Sequence, residues 1–172
     1  MAAFFKAYFA IPGFRFSYRL RKCSYYFKNG SLLSKPLYAC NWLKLRGLKY
    51  RFGFDISEKT EIGKGLYLGH FGGVVINPKA VIGKNVSIGH GVTLGKVQRG
   101  AKIGYPTIGD GAWIGPNAVI VGGITVGRNT LIGPGAYVNF DVPENSVVIG
   151  NPGQIVSDKG AYPDYASNLV TD

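Results

Sequence analysis

A period of six residues runs through the middle and later parts of the chain. From Ile108 onwards an aliphatic residue occupies every sixth position, and a glycine follows it in four of these hexads. The series is Ile108, Ile114, Ile120, Val126, Ile132 and Val138. A helix repeats every 3.6 residues and a strand every 2.0, so neither element alone produces this pattern. A fixed short repeat indicates a solenoid, and hexads are typical of parallel β-helices.

Each hexad predicts one short strand followed by a tight corner, and three hexads close one triangular coil. The aliphatic side chain points into the prism, and a glycine or asparagine near the corner supplies backbone freedom that other residues lack. Successive coils stack at the strand spacing of about 4.8 Å. The fold class predicted is therefore an all-β solenoid.

The period slips once near residue 75. Two earlier series keep the six-residue spacing but are offset by two: Ile56, Ile62, Leu68 and Val74, then Ile76, Ile82, Ile88 and Leu94. Two extra residues therefore lie near Val74 and Val75.

A longer interruption separates Leu94 from Ile108. The gap holds one hexad and eight further positions, and it predicts a loop over residues 96–107 that carries Lys96, Arg99 and Lys102. Insertions in solenoids form loops that often lie on the binding face.

The N-terminal segment, residues 1–54, follows a different pattern. Helices are predicted at about 14–28 and 34–47, with Pro36 near the start of the second. The opening stretch Met1–Pro12 lacks the long apolar core and cleavage site of a signal peptide. The chain is thus divided into a helical segment (1–54), a solenoid (55–156) and a polar tail (157–172) with Tyr162 and Tyr165.

The whole net charge of +11 lies in this N-terminal segment. It has no acidic residue, and its basic residues are Lys6, Arg15, Arg19, Arg21, Lys22, Lys28, Lys35, Lys44, Arg46, Lys49 and Arg51. Most of the aromatic residues lie there too. Two compatible hypotheses follow: a helical cap that closes one end of the solenoid, or a peripheral surface for anionic lipid. No nucleic-acid recognition motif is present, and charges interrupt every apolar run before it could span a membrane.

Composition narrows the possible classes of protein further. With 46% hydrophobic residues the chain can build a core, and its 26 glycines follow the hexad corners rather than a collagen period. Cys23 and Cys40 are too few for a disulfide framework, fit a reducing compartment, and are expected to be unreactive core thiols.

The two histidines are the strongest candidates for chemistry. His70 and His90 each follow a glycine and stand two places after an inward aliphatic residue. Their separation is one coil of three hexads plus the two inserted residues, which predicts one face and adjacent coils. Two imidazoles there suit a general base and an orienting donor, although incidental surface histidines are the alternative. No third histidine or cysteine completes a zinc site, so no metal is expected.

Several short motifs resemble a known family. They are Phe54-Asp55-Ile56, Gly63-Lys64-Gly65-Leu66, Leu68-Gly69-His70, Gly72-Gly73-Val74-Val75-Ile76, Gly91-Val92-Thr93-Leu94-Gly95, Pro106 with Ile108-Gly109, and Gly150-Asn151-Pro152-Gly153. Residues 54–156 resemble the left-handed parallel β-helix acyltransferases of the hexapeptide-repeat superfamily. The resemblance is to serine O-acetyltransferases and to their relatives that acetylate bacterial surface polysaccharides.

The resemblance implies a mechanism. His70 matches the catalytic base, Asp55 the carboxylate that orients it, and His90 is a further candidate. The family forms homotrimers with acetyl-CoA in a groove between neighbouring solenoids and needs no metal. The matching cofactor positions are Gly95, Gly115, Pro116, Gly133 and Pro134. Lys96, Arg99 or Arg128 are further candidates, as partners for the phosphates, on the ground of their charge rather than of the motif.

Two departures from the serine O-acetyltransferase pattern concern the acceptor. Those enzymes have an Asp where this chain has Gly69 and a His where it has Tyr105. Both positions are candidate acceptor contacts, and without these side chains a zwitterionic amino acid loses its partners. We therefore expect a sugar hydroxyl of a surface polysaccharide, or of its lipid-linked precursor, as acceptor, in the cytoplasm at the inner face of the membrane. Serine or another small molecule is the alternative, and a non-catalytic scaffold is the third hypothesis.

Overall fold

Three helices precede the solenoid in the computed structural model, which describes residues 2–160. They are α1 (Ala2–Ala10), α2 (Pro12–Asn29) and α3 (Lys35–Phe52), with a single 3-10 turn at Leu32–Ser34 between the last two. The predicted tail falls mostly outside the described residues, as do its Tyr162 and Tyr165.

Short strands make up the rest of the described chain. They are β1 (Phe54–Ile56), β2 (Glu61–Ile62), β3 (Tyr67–Leu68), β4 (Val74–Ile76), β5 (Val81–Ile82), β6 (Ser87–Ile88), β7 (Thr93–Gly95), β8 (Thr107–Ile108), β9 (Trp113–Ile114), β10 (Val119–Val121), β11 (Thr125–Val126), β12 (Leu131–Ile132), β13 (Tyr137–Val138), β14 (Val147–Ile149) and β15 (Gln154–Ser157).

Every third strand pairs in parallel, so the strands form the three faces of a prism. The five-stranded face is β1-β4-β7-β10-β13, the four-stranded face β11-β8-β5-β2, and the six-stranded face β15-β14-β12-β9-β6-β3. Only β15 pairs antiparallel among the described strands. The predicted parallel β-helix is confirmed, and the hexapeptide period fits its left-handed form.

The strand register confirms both interruptions of the period. Ile56 pairs with Ile76, which lies three hexads and two extra residues later in the chain. Ile76 pairs with Leu94, which lies three hexads later with nothing inserted. Leu94 then pairs with Ile120, so the coil between them contains the extra eight residues.

The inward aliphatic residues form the core, and the corners hold the left-handed backbone. Ile82, Ile108 and Ile120 are at most 1% exposed. Four corner asparagines have positive φ, namely Asn85 (55°), Asn117 (60°), Asn129 (51°) and Asn145 (57°). Asparagine and glycine are the residues that adopt this conformation at low cost, which is why they recur at the corners.

The helices cover the first coil of the solenoid. The ring centroids of Phe16 in α2 and Phe54 in β1 are 4.9 Å apart, and both side chains are fully buried. Gly13 lies so close to β3 that a Cβ would stand 2.0 Å from the carbonyl oxygen of Leu68. The segment therefore caps the end of the prism.

Ionisable groups are buried under this cap. Tyr38 Oη donates to Glu58 Oε1 at 3.1 Å, and Glu58 is 7% exposed. Burial, together with the charge of Glu58, raises the pKa of Tyr38 to about 12. Burial, followed by the same charge, raises the pKa of the Cys23 thiol to about 11.

The predicted helices were incomplete. Helix α1 was not predicted, and α3 runs past Gly47 to Gly53, whose φ of 71° and N–H bond to the Lys49 carbonyl (2.9 Å) end it. The prediction stopped at the first glycine, which is tolerated inside the helix. The expectation for the cysteines was half wrong, since Cys23 is buried but Cys40 is exposed.

Candidate active site

The two histidines lie together on one edge of the prism. This edge, called here the histidine edge, consists of the corners between the six- and five-stranded faces. The rings of His70 and His90 have centroids 6.1 Å apart and planes at 85°. Both side chains are exposed. The spacing in the sequence predicts this arrangement, because the two inserted residues keep both imidazoles on adjacent coils.

The same edge carries four of the predicted cofactor positions on the next two coils. The backbone N–H of Asn117 donates to the His90 carbonyl, and that of Gly135 donates to the Pro116 carbonyl, both at 2.8 Å. His70, His90, Pro116 and Pro134 therefore occupy equivalent corner positions on successive coils.

Glycine precedes each of these corner residues, and at Gly89 and Gly115 the reason is steric. A Cβ on Gly89 would lie 2.7 Å from Pro116 N, and one on Gly115 would lie 2.6 Å from Pro134 N. Backbone atoms cannot yield to such a contact. Gly69 differs, because a Cβ there would meet only the ring of Tyr67, at 3.2 Å. That ring is 37% exposed, so position 69 can accept a side chain.

Asp55 lies on the five-stranded face next to this edge. Its side chain points outward from β1 and makes an ion pair with Lys49 Nζ at 3.4 Å, with 76% of the side chain exposed. The corner after His70 approaches the same region, since Gly72 N–H donates to the Phe52 carbonyl at 2.8 Å. Within residues 2–160 no hydrogen bond or ion pair joins Asp55 to His70. The predicted Asp–His pair stays a prediction.

A cavity of about 530 Å³ opens beside Asp55, between the end of α3 and β1. Of the described residues, those lining it include Asp55 and neither histidine: Trp42, Leu45, Arg46, Lys49, Tyr50, Gly53, Phe54 and Asp55. The Arg46 guanidinium lies 5.4 Å from the Trp42 ring centroid. The cavity is thus basic and aromatic at its wall and acidic at one point.

The inserted loop forms a second edge, between the five- and four-stranded faces. Val97 and Gly104 exchange backbone hydrogen bonds of 3.1 Å, which close the loop into a hairpin. Lys96 Nζ lies 5.6 Å from the ring centroid of Tyr105, and Lys79 Nζ lies 5.5 Å from it. Gly95 ends β7 at the base of this loop. Lys79 was missed by sequence analysis, because its corner carries no signal that separates it from other surface lysines.

The far end of the loop is fixed to a later coil. Lys102 Nζ donates to Asp141, whose other oxygen accepts from the Thr125 N–H. These hydrogen bonds, that from Lys102 first, hold the pKa of Asp141 below its ordinary value.

Arg128 lies on the third edge, away from both histidines. Its Nε donates to Glu144 Oε2 at 2.6 Å, and both side chains are more than half exposed. Within one chain the predicted cofactor residues therefore occupy different edges. Those that share the histidine edge are Gly115, Pro116, Gly133 and Pro134.

Known proteins resemble this chain in sequence and in fold. A family model described as bacterial transferase hexapeptide (six repeats) matches residues 105–139. The crystal structure of serine acetyltransferase from Neisseria gonorrhoeae superposes with a TM-score of 0.76 at 33% identity, covering 93% of this chain and 60% of that one. The chain thus has a solenoid of hexads similar to that of serine acetyltransferases.

Two further relatives extend this similarity. Serine acetyltransferase 4 of Arabidopsis thaliana is 46% identical over 105 residues, 61% of this chain and 30% of the relative. Serine acetyltransferase in complex with coenzyme A from Brucella abortus strain S19 has a TM-score of 0.75 at 32% identity, covering 88% of this chain and 58% of that one. The chain spans less than two thirds of each relative.

These relatives bear on the expected acceptor. They are named serine acetyltransferases, so the serine alternative fits them better than the polysaccharide acceptor expected from Gly69 and Tyr105. The polysaccharide acceptor finds no support in these names and stays a prediction.

Among residues 2–160 no group of three or more His, Cys, Asp or Glu side chains is arranged to hold a metal ion. In the same range no helix combines the length and apolar character needed to cross a bilayer.

Proposed function

We propose that this protein is an acetyl-CoA-dependent O-acetyltransferase whose reaction takes place at the histidine edge. The observation that carries the proposal is the exposed pair His70 and His90, 6.1 Å apart, on a prism similar to serine acetyltransferases. An exposed imidazole pair beside small, flat Gly-Pro corners provides a base and a surface for an extended thioester. The same fold is found in a serine acetyltransferase that binds coenzyme A.

In the proposed reaction, His70 accepts the proton of the acceptor hydroxyl as its oxygen attacks the thioester carbonyl. The carbon–sulfur bond then breaks, the acetyl ester forms, and the proton passes from the imidazolium to the departing thiolate of CoA. Asp55 orients His70 and stabilises the imidazolium, once it exchanges Lys49 for the imidazole. His90 supplies a second donor or acceptor on the same face.

Acetyl-CoA is held, in this proposal, by edges of neighbouring solenoids in a homotrimer. The histidine edge of one subunit faces either the edge formed by the inserted loop or the third edge of the next subunit. On the histidine edge the contacts come from Gly115, Pro116, Gly133 and Pro134. Gly95 then borders the thioester arm, and the cations of those edges, Lys96, Arg99 and Arg128 with Lys79, meet the phosphates. This arrangement explains why the cofactor residues are divided among edges within one chain.

Serine is the first acceptor to test, because the relatives carry its name. A sugar hydroxyl of a surface polysaccharide or its lipid-linked precursor is the second. It is favoured by Gly69, which offers no carboxylate to hold an ammonium group, and by Tyr105 in place of a second imidazole-bearing residue.

The decisive experiment measures release of free CoA thiol with acetyl-CoA and either L-serine or a panel of nucleotide sugars and oligosaccharides, with product masses checked for one added acetyl group. Thiol release and an acetylated product with one acceptor, lost in His70→Asn, supports the proposal and names the acceptor. If neither acceptor is acetylated and calorimetry detects no binding of acetyl-CoA, the scaffold hypothesis replaces it.

A gain-of-function variant separates the two acceptors further. If the missing acid is what disfavours serine, Gly69→Asp raises kcat/KM for serine by about ten- to a hundredfold, as expected for a charged hydrogen bond. Gly69→Asn has the same size without the charge and is the matched control. Equal rates for both variants would mean that position 69 does not select the acceptor.

A further inference from the structure

The turn that joins α2 to α3 exposes a cluster of large apolar side chains. Leu33 is 90% exposed, Leu32 75%, Leu37 54% and Phe27 48%. Single exposed leucines are ordinary on protein surfaces, but two adjacent leucines this exposed, with two more apolar residues beside them, form a patch that the fold does not cover. We call residues 27–37 the hairpin tip.

Three lysines lie around the hairpin tip. Lys28 and Lys35 flank the leucines and are exposed, and Lys59 Nζ lies 5.3 Å from the centroid of the Phe27 ring. The acidic residue that packs beside the tip, Glu58, is buried and bonded to Tyr38. An apolar centre ringed by lysines is therefore presented to whatever covers it.

We propose that the hairpin tip docks on an anionic lipid bilayer. Leucine and aromatic side chains enter the boundary between headgroups and acyl chains, and lysines at its rim remain at the level of the phosphates. Each lysine near an anionic surface adds to the attraction, and the excess of basic residues over residues 1–54 supplies a long-range field of the same sign.

A bilayer fits these observations better than a protein partner does. Leu32 and Phe27 help to line a cavity of about 240 Å³ beside the tip, but Leu33 and Leu37 do not line it and project from the fold outside any enclosed site. A fluid surface needs no shape complementarity, only apolar depth and negative charge. The inference goes beyond acetyl transfer, and neither proposal requires the other.

The test is co-sedimentation of the full chain with vesicles of phosphatidylcholine alone and of phosphatidylcholine with an equal amount of phosphatidylglycerol. The wild type is expected to sediment with the anionic vesicles and to be released by high salt. Leu32→Ser/Leu33→Ser lowers the partition coefficient by at least about tenfold, because two leucines that enter the bilayer are lost. Lys28→Glu/Lys35→Glu lowers it by at least about fivefold on anionic vesicles.

The matched control is Val156→Ser. This valine is 54% exposed on β15, at the other end of the six-stranded face from β3, which α2 contacts. Its substitution removes exposed apolar surface of the same kind and leaves partition unchanged.

Three results overturn the proposal. In the first, the wild type stays in the supernatant with both kinds of vesicle. In the second, the two double variants bind the anionic vesicles as well as the wild type does. In the third, analytical ultracentrifugation without lipid shows that Leu32→Ser/Leu33→Ser lowers the assembly mass, and the tip is then an interface between copies. Thiol release with a soluble acceptor is measured in parallel, so that loss of membrane binding and loss of acetyl transfer are distinguished.

Discussion

The solenoid and the helical segment achieve burial in opposite ways. In the solenoid one aliphatic residue per hexad is enclosed by its own coil, as with Ile114 and Ile132, both fully buried. The helices have no such interior. They bury one face against the first coil, through residues such as Phe16 and Leu45, and leave large side chains such as Leu43 and Tyr50 exposed on the other.

The difference also divides the chemistry. The solenoid has the two imidazoles, and the charges of residues 55–172 balance, whereas the helical segment has the whole excess of positive charge and most of the aromatic rings. We conclude that the prism is the frame of the candidate active site and that the helices provide a cap and an outward surface. Each prediction below tests that division.

The largest effect is expected at His70. Replacing it with asparagine removes the proposed base but keeps a polar side chain at an exposed corner, so kcat falls about 10²- to 10⁴-fold. Leu43→Ala, in α3 and 63% exposed, leaves kcat unchanged. Steady-state rates of thiol release give kcat for each variant, and circular dichroism checks that each variant is folded. A His70→Asn enzyme as active as the wild type would remove this residue from the mechanism.

The docking of the cap is tested at Gly13. A Cβ there would stand 2.0 Å from the Leu68 carbonyl oxygen, so Gly13→Ala forces α2 away from β3 and costs about 1–3 kcal/mol of the free energy of unfolding. Gly47→Ala is the matched control, because its Cβ meets nothing within 4 Å and stabilises α3 by up to about 1 kcal/mol.

Denaturant unfolding at one protein concentration measures both glycine variants, and hydrogen exchange locates the change. We expect faster hydrogen exchange in α2 of Gly13→Ala and unchanged exchange in β9 and β12. Equal stabilities for the two variants would show that the cap is not packed as described.

A smaller effect is expected at alkaline pH. The pKa of Cys23 is raised to about 11 in the folded state, above its ordinary value of 9.0. The folded protein therefore keeps a proton that the unfolded chain releases. This contribution to stability is fully present below pH 9 and is lost as pH rises through about 11, by at most about 1.4 kcal/mol per pH unit.

Stability measured from pH 8 to 11 tests this assignment in two variants. Cys23→Ala removes part of the downward slope, and Cys40→Ala, at an exposed thiol, keeps it. Identical slopes in the two variants would assign the alkaline loss to other groups, such as Tyr38.

Sequence analysis predicted the solenoid far better than the cap. The inward residues repeat, so a slip such as that at Val74 or the insertion after Leu94 is visible as a change of phase. The adjacency of His70 and His90 followed from the same arithmetic. Helix α1 has no repeat and no capping side chain, and the end of α3 depended on which of two glycines adopts positive φ.

The site was only partly predictable for a related reason. Corners of one edge share a phase of the repeat, so His70 and His90 could be placed together. The structure adds Pro116 and Pro134 at the same phase. Lys79 and the Lys49–Asp55 ion pair depend on side-chain contacts between elements of different phase, which periodicity does not encode. In the proposed homotrimer, the place where cofactor and acceptor meet depends further on contacts between subunits.

The most direct test of the central claim uses the fact that the chain has only two histidines. In an NMR spectrum of carbon-13-labelled histidine, the two imidazole signals are assigned with His70→Asn and His90→Asn, and coenzyme A is then titrated. If acetyl transfer takes place on the histidine edge, both signals shift as the cofactor saturates. Binding confirmed by calorimetry, with neither signal moved, would contradict the account.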